Sequence, residues 1–232
     1  MKKRLIVLTG AGVSAESGIS TFRDAGGLWE GHDIMEVASP EGWRKNQELV
    51  LDFYNKRRRQ LQEVDPNAAH LALVELEEHF NTCIITQNVD DLHERAGSTQ
   101  VIHLHGELLK ARSTQEESLV YHWTKDIKLG DKCEQGAQLR PHIVWFGEMV
   151  PMLELAAAHI AEAEIVIIVG TSMQVYPAAS LVGYAPPFAP VHYIDPNPSI
   201  NYELGHSKSL NVIKEKATVG VPALAKQLIA EK

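Results

Sequence analysis

Disulfides, membrane spans and an excess of positive charge are all missing from this sequence. Cys83 and Cys133 are its only cysteines, too few for a disulfide framework and in keeping with a reducing compartment. No stretch approaches the roughly 20 apolar residues needed to cross a bilayer. The opening Met1-Lys2-Lys3-Arg4 leads into an apolar run of five, not into the longer core of a signal peptide, so the expected compartment is the cytoplasm. Lys plus Arg total 22 against 30 Asp plus Glu, a net charge of -8. That balance favours solubility and argues against broad nucleic-acid binding, although Lys56-Arg57-Arg58-Arg59 is a local basic run. Internal repeats and low-complexity linkers are absent too. What is present, 232 residues of which 44 % are hydrophobic, suits one large or two small domains with an ample core.

Five short runs rich in Val and Ile read as buried parallel strands: Leu5 to Thr9, Cys83 to Thr86, Gln100 to His103, Ile165 to Val169 and Val191 to Ile194. Helical patterns lie between them, at Asn67 to Phe80, Pro151 to Glu162, Ala178 to Tyr184 and Pro222 to Ala230. The alternation predicts an α/β fold with a Rossmann-like, doubly wound parallel sheet. Gly31 to Glu78, helical throughout, and Leu109 to Leu139, polar and irregular, interrupt it. They are expected to form a smaller inserted module of residues 31–82 and 109–139, above the ligand edge of a sheet domain made of 1–30, 83–108 and 140–232.

The most informative run starts where the first strand ends: Gly10-Ala11-Gly12-Val13-Ser14-Ala15-Glu16-Ser17-Gly18-Ile19-Ser20-Thr21-Phe22-Arg23. Gly10 and Gly12 let the backbone turn tightly against a pyrophosphate, and the next residues can start a helix whose free N–H groups face the anion. Gly-x-Gly-x-x-Ala alone is a weak signal. In a dehydrogenase an acidic residue ends the next strand about 20 residues later and holds the ribose. Here no β-branched pattern precedes Asp33, so hydride transfer is the least favoured reading. The next strand instead leads into Gln87-Asn88-Val89-Asp90-Asp91, at the carboxyl end where ligands of open α/β sheets collect. His105, before Gly106, is either a structural histidine or a base working near neutral pH. Asn88 and Asp90 suit an Asx turn or helix cap as well as a ligand, and Asp195-Pro196-Asn197-Pro198 is by itself an ordinary turn.

These runs, with Ile102 to Gly106, Phe146-Gly147-Glu148, Gly170-Thr171-Ser172 and Ile194 to Asn197, stand in the order of the sirtuins, NAD-dependent protein deacylases. The chain resembles that family from about Leu5 to Pro222. The resemblance implies NAD as cofactor, acyl-lysine proteins or peptides as substrates, and release of nicotinamide and O-acyl-ADP-ribose. It makes His105 the catalytic base toward a ribose hydroxyl, with Asn88 orienting the attack. It assigns Gln87 to the nicotinamide-side ribose, Asp90 to the nicotinamide amide and Asn197 to the adenosine ribose. Gly10, Ala11, Gly12, Ala15, Trp29, Gly170, Thr171, Ser172 and Ala217 complete the cofactor set. Phe22 and Arg23 match the flexible cofactor loop, in which Phe22 shields the reactive carbon from water. The substrate peptide is expected as a strand along Val144, Trp145 and Phe146 and along the segment after Met173.

Tyr54 and Arg57, three apart on a helix predicted from Asn46 to Gln62, share one face. Alone they are a charged helix surface. Under the resemblance they match the class that removes malonyl, succinyl and glutaryl groups: a guanidinium fork binds a carboxylate bidentately and a phenol adds a third donor. Ala38 matches a small residue that widens the acyl pocket, so acidic acyl groups are expected over acetyl. One family feature is missing. The four zinc cysteines should fall at Ser113, Glu116, Lys132 and Gln135, and Cys133 is out of register by one. No zinc is therefore expected, and packing by Leu119, Tyr121 and Trp123 is expected to hold the module. The alternatives are an NAD-dependent ADP-ribosyltransferase, a catalytically silent NAD sensor and a plain deacetylase. A monomer without membrane or specific nucleic-acid partners is expected.

Overall fold

The computed structural model describes residues 2–20, 28–29 and 31–232, Leu28 by its backbone alone. Phe22 and Arg23 therefore lie outside the described residues. In chain order the elements are β1 (Arg4–Thr9), β2 (Leu28–Trp29), β3 (His32–Asp33), α1 (Ile34–Val37), α2 (Pro40–Lys45), α3 (Gln47–Leu61), α4 (Ala68–His79), β4 (Asn81–Thr86), α5 (Leu92–Ala96), β5 (Val101–His103) and β6 (Gly106–Ser113). There follow β7 (Val120–His122), β8 (Leu139–Ile143), α6 (Leu153–Ala161), β9 (Ile165–Val169), β10 (Val191–Ile194), α7 (Tyr202–Gly205), β11 (Leu210–Ile213) and α8 (Ala217–Ala230).

β1 pairs in parallel with β4 on one side and β9 on the other, in a six-stranded sheet of order β11-β10-β9-β1-β4-β5. Parallel strands need crossovers, which put helices on both faces, so these strands are apolar at successive positions instead of alternate ones. The two-residue period sends Leu5 and Val7 to one face with Ile84 and Ile167, against Leu73 and Leu76 of α4 and Val221 and Leu224 of α8. Ile6 and Leu8 go to the other face with Ile85 and Ile168, against Ile160 of α6 and Leu181. From β1 the chain continues to β4 on one side and later to β9 on the other. The loops at the carboxyl ends consequently part beside β1, where an open sheet has its ligand crevice.

The doubly wound sheet agrees with expectation and has one further strand. β11 lies at the edge with none of its four residues buried, so no apolar run announces it. Ala178–Tyr184 winds as a 3-10 helix, and α8 begins at Ala217, before the predicted start at Pro222, which sits inside it.

The segment read as irregular from Leu109 to Leu139 is corrected by the structure: β6 forms an antiparallel sheet with β7 and β8. A register shift between Gly106 and Ala111 breaks the alternation of β6, which hides the strand pattern. This small sheet crosses both module boundaries read from the sequence, because β6 starts before residue 109 and β8 runs past 139. α4, placed within 31–82, packs on the parallel sheet instead. α3 closely matches its predicted span, its first turn capped by Asn46 Oδ1, which accepts from the Leu49 N–H at 3.0 Å. The basic run along α3 points in several directions. Lys56 pairs with Asp52 at 2.8 Å and Arg59 with Asp126 at 2.6 Å. Arg58 is fully buried and donates Nε to the Leu108 carbonyl at 3.0 Å and Nη1 to Asn55 Oδ1 at 2.6 Å. Within the run, Arg58 thus serves the module's own packing, while Lys56 and Arg59 pair at its surface. Among the described residues no helix is long and apolar enough to cross a membrane.

Candidate active site

β1 and β9 end side by side, and their loops cross backbone to backbone. The Gly10 N–H donates to the Val169 carbonyl at 3.0 Å and the Gly12 N–H to the Gly170 carbonyl at 2.8 Å. A Cβ on Gly12 would lie 2.6 Å from Gly170 Cα, and one on Gly170, at φ +61°, would overlap the Gly12 backbone. Only glycine lets the two chains approach so closely. Beyond the crossing the chain winds as two 3-10 turns, Ala11–Val13 and Ala15–Ser17, and not as the helix expected after the loop. Gly18 at φ +100° stops the winding.

Ser14, fully buried, is the hub beneath this loop. Its hydroxyl donates to Asp90 Oδ2 at 3.0 Å and accepts from Asn88 Nδ2 at 3.1 Å. His70 Nδ1 accepts the Asn67 N–H at 3.2 Å, so its proton sits on Nε2, 3.5 Å from Ser14 Oγ. Burial pushes His70 down to about 4 and keeps the ring neutral. Asp90 Oδ1 also accepts the Leu92 N–H at 3.2 Å, the capping role its position suggested. Burial lifts the Asp90 carboxyl above the usual range, against the pull of those two donors.

The other cofactor candidates line the same edge. Gln87 Nε2 donates to Thr171 Oγ1 at 3.0 Å and ties the end of β4 to that of β9. Ser172 is half-buried beside it, and Asn197 stands exposed after β10 with its N–H on Asp195 Oδ1 at 2.8 Å. Ala11 is half-buried and Ala15 exposed on the loop. Ala217 opens α8, where Glu16 accepts from the Thr218 hydroxyl at 2.7 Å and N–H at 3.2 Å, a carboxylate at a helix N-terminus.

His105 Nδ1 lies 3.1 Å from the Gln87 carbonyl. A carbonyl only accepts, so Nδ1 carries the proton and Nε2 keeps its lone pair. Burial lowers the His105 pKa, with the Gln87 bond opposing, and the ring is in the neutral state a base requires.

Trp29, within the 1–30 segment expected in the sheet domain, instead packs on the small module's cluster beside Tyr54 and Arg57. Its ring centre is 6.1 Å from that of Tyr54 and 5.0 Å from the Arg57 guanidinium, which also lies 3.3 Å over Phe53. Trp29, Arg57, Val89, Asp90 and Leu108 help to line a cavity of about 60 Å³. Tyr54 is fully buried, and its oxygen accepts from Trp145 Nε1 at 3.1 Å. No described residue accepts the Tyr54 proton. Burial raises the phenol pKa strongly, with Glu148 adding to it, while Trp145, Arg140 and Arg57 pull the other way. Ala38 is buried, and its carbonyl accepts the Phe146 N–H at 3.0 Å. The N–H groups of Val144 and Trp145 are taken by the His105 carbonyl at 2.9 Å and Glu148 Oε2 at 2.8 Å. An incoming peptide strand thus finds no free N–H on Val144, Trp145 or Phe146, which narrows the pairing expected there.

A model of the Sir2 family matches residues 10–177. The chain belongs to the Sir2 family. It is 65 % identical over 194 residues to an NAD-dependent protein deacylase of Helicobacter pylori (strain J99), covering 84 % of this chain and 83 % of that one. A protein of the same description from Bacteroides thetaiotaomicron is 51 % identical over 234 residues, 98 % of each chain. Among solved structures, a Sir2 homologue in complex with NAD matches with a TM-score of 0.88 at 39 % identity, over 99 % of this chain and 91 % of that one. Sir2 bound to acetylated peptide matches with a TM-score of 0.78 at 26 % identity, over 99 % and 93 %.

Ser113, one of the four positions where the sequence reading expects the sirtuin zinc cysteines, caps a hydrogen-bonded turn in this Sir2 protein. Ser113 Oγ accepts the N–H groups of Gln115 and Glu116, each at 3.2 Å, and faces Cys133 Sγ at 3.4 Å. One thiol beside a hydroxyl is not a zinc donor set. Among the described residues no group of three or more His, Cys, Asp or Glu is placed to hold a metal ion. Leu119, Tyr121 and Trp123 do pack against the module's apolar cluster. Sequence reasoning misses Ser14, His70 and Glu16. For His70 a signal exists, since Asn67 and His70 have the spacing of a capping box and form one.

Proposed function

We propose that this Sir2-family protein is an NAD-dependent protein deacylase that prefers acyl-lysine groups ending in a carboxylate, such as succinyl, malonyl or glutaryl, over acetyl. The observation that carries the preference is the Tyr54 hydroxyl. It is buried, its oxygen accepts from Trp145, and its proton has no acceptor among the described residues. A buried donor left without a partner costs about 1–3 kcal/mol, and the Arg57 charge near it favours an anionic acceptor, whereas Arg140 is already paired with Glu148 at 2.7 Å.

The site suits NAD. Bare glycine backbone at the Gly12–Gly170 crossing meets the carboxyl ends of the strands, and Gly10, Ala11, Ala15, Gln87, Asn88, Asp90, Thr171, Ser172, Asn197 and Ala217 would hold the cofactor there, with Trp29 by the cavity. NAD supplies an activated ribosyl group that takes up the acyl group as nicotinamide departs. His105 Nε2 accepts a proton while its Nδ1–H stays on the Gln87 carbonyl. Ser14 fixes the side chains of Asn88 and Asp90 so that they do not reorient during the reaction. Val89, Leu108 and Trp29 make the cavity wall apolar and so disfavour water. Mass analysis after incubation with NAD and matched succinyl- and acetyl-lysine peptides tests the reaction. Deacylated peptide with acyl-ADP-ribose is expected, and a peptide heavier by an ADP-ribosyl group would refute it.

The small module is proposed to fold without zinc, on the strength of the Ser113 turn. Tag-free protein should keep its Tm after exhaustive chelation, and stoichiometric zinc by metal analysis would overturn the reading.

A further inference from the structure

β5 ends at His103, two residues before His105, and both imidazoles grip successive carbonyls of the loop after β4. His103 Nδ1 lies 3.1 Å from the Asn88 carbonyl and His105 Nδ1 3.1 Å from the Gln87 carbonyl. Both rings therefore carry a proton on Nδ1. They differ at Nε2. That of His103 meets Glu94 Oε1 of α5 at 2.7 Å, and a carboxylate also only accepts, so both His103 nitrogens face acceptors, the setting that favours an imidazolium. His105 Nε2 has no such partner among the described residues.

The surroundings support the charge. The segment of Asp90, Asp91 and Glu94 brings three carboxyl groups to this side, together with His93, which burial keeps neutral. β6 brings Glu107, paired with Lys110 at 2.6 Å. Burial disfavours the cation, yet Glu94 and Glu107 outweigh it and the His103 pKa is raised. The His103 side chain is only 9 % exposed, so water is a poor substitute for either acceptor.

We propose that His103 is a positioning residue of the deacylase: its imidazolium fastens the Asn88 carbonyl to Glu94 and so holds Gln87, Asn88 and Asp90 in register with His105. The inference rests on the deacylase reading for its kinetic readout alone. It makes two histidines beside each other work in opposite states. Activity appears as pH rises through the lowered pKa of His105 and is lost as pH rises further, through the raised pKa of His103.

Glu94→Gln tests this, because it keeps an acceptor for Nε2 and removes the charge that holds the second proton. The alkaline limb of the kcat profile should move to lower pH, with kcat above neutrality down about tenfold or more and the peptide KM within about twofold. His103→Asn, which retains a donor near the Nδ1 position but cannot titrate, should abolish that limb. A folded Glu94→Gln protein with wild-type kcat and an unmoved alkaline limb would overturn the proposal. Nitrogen-15 NMR of the wild-type imidazoles decides the matter even where a variant fails to fold. Two protonated nitrogens on His103 at neutral pH are expected, and a neutral His103 ring would refute it. If the protein proves not to be a deacylase, the NMR result still reports on the clamp.

Discussion

Replacing His105 by alanine is expected to lower kcat by about 10²–10⁴-fold, the usual worth of a general base, while NAD still binds. The Gln87 carbonyl fixes the tautomer that leaves Nε2 free, and burial keeps the ring neutral to a lower pH than an ordinary imidazole. Wild-type kcat should therefore hold on the acid side until pH falls below the ordinary imidazole value. The variant should lose that acid limb. Single-turnover rates across pH, with NAD binding measured separately, check both points. A loss of less than about tenfold would remove His105 from the role of base.

Arg57→Ala is expected to cost a succinyl substrate about 2–5 kcal/mol, roughly 30- to 5,000-fold in kcat/KM, if the charged pair is desolvated in the complex. An acetyl substrate, with no carboxylate to leave unpaired, should change little. The comparison is needed because Arg57 also packs over Phe53 and approaches Trp29, so its removal loosens the module for any substrate. Arg57→Lys supplies the charge without the planar fork and should recover only part of the succinyl activity. Tyr54→Phe removes the buried donor but also strips Trp145 Nε1 of its acceptor. It should weaken succinyl turnover by about 1.5–3 kcal/mol, the worth of a hydrogen bond to a charged group. Equal losses for both acyl groups in Arg57→Ala would mean that the guanidinium serves packing alone.

The central strands were legible because burial on both faces makes them continuous apolar runs, as in Ile165–Val169. α3 was legible over Asn46 to Gln62, with Tyr54 and Arg57 at helical spacing, and the structure adds the Asn46 cap that starts it. The small sheet was not, since the irregular register of β6 and polar residues such as Lys110 and Arg112 leave no alternation to read. β11 was hidden by its exposed place at the edge. In the site, His105, Asn88, Asp90 and the glycines could be singled out by motif and position. What motif could not give is who holds whom. Ser14, His70 and the His103–Glu94 clamp act through contacts between residues far apart in the chain or on different elements. Such contacts follow from the sheet order, which places the ends of β1, β4 and β5 side by side.

The most direct measurement is kcat/KM of the wild-type protein, with saturating NAD, on two peptides that differ only in a succinyl or acetyl group on the same lysine. The Tyr54 and Arg57 arrangement predicts a clear advantage for the succinyl peptide. Equal turnover, or an advantage for the acetyl peptide, would contradict it.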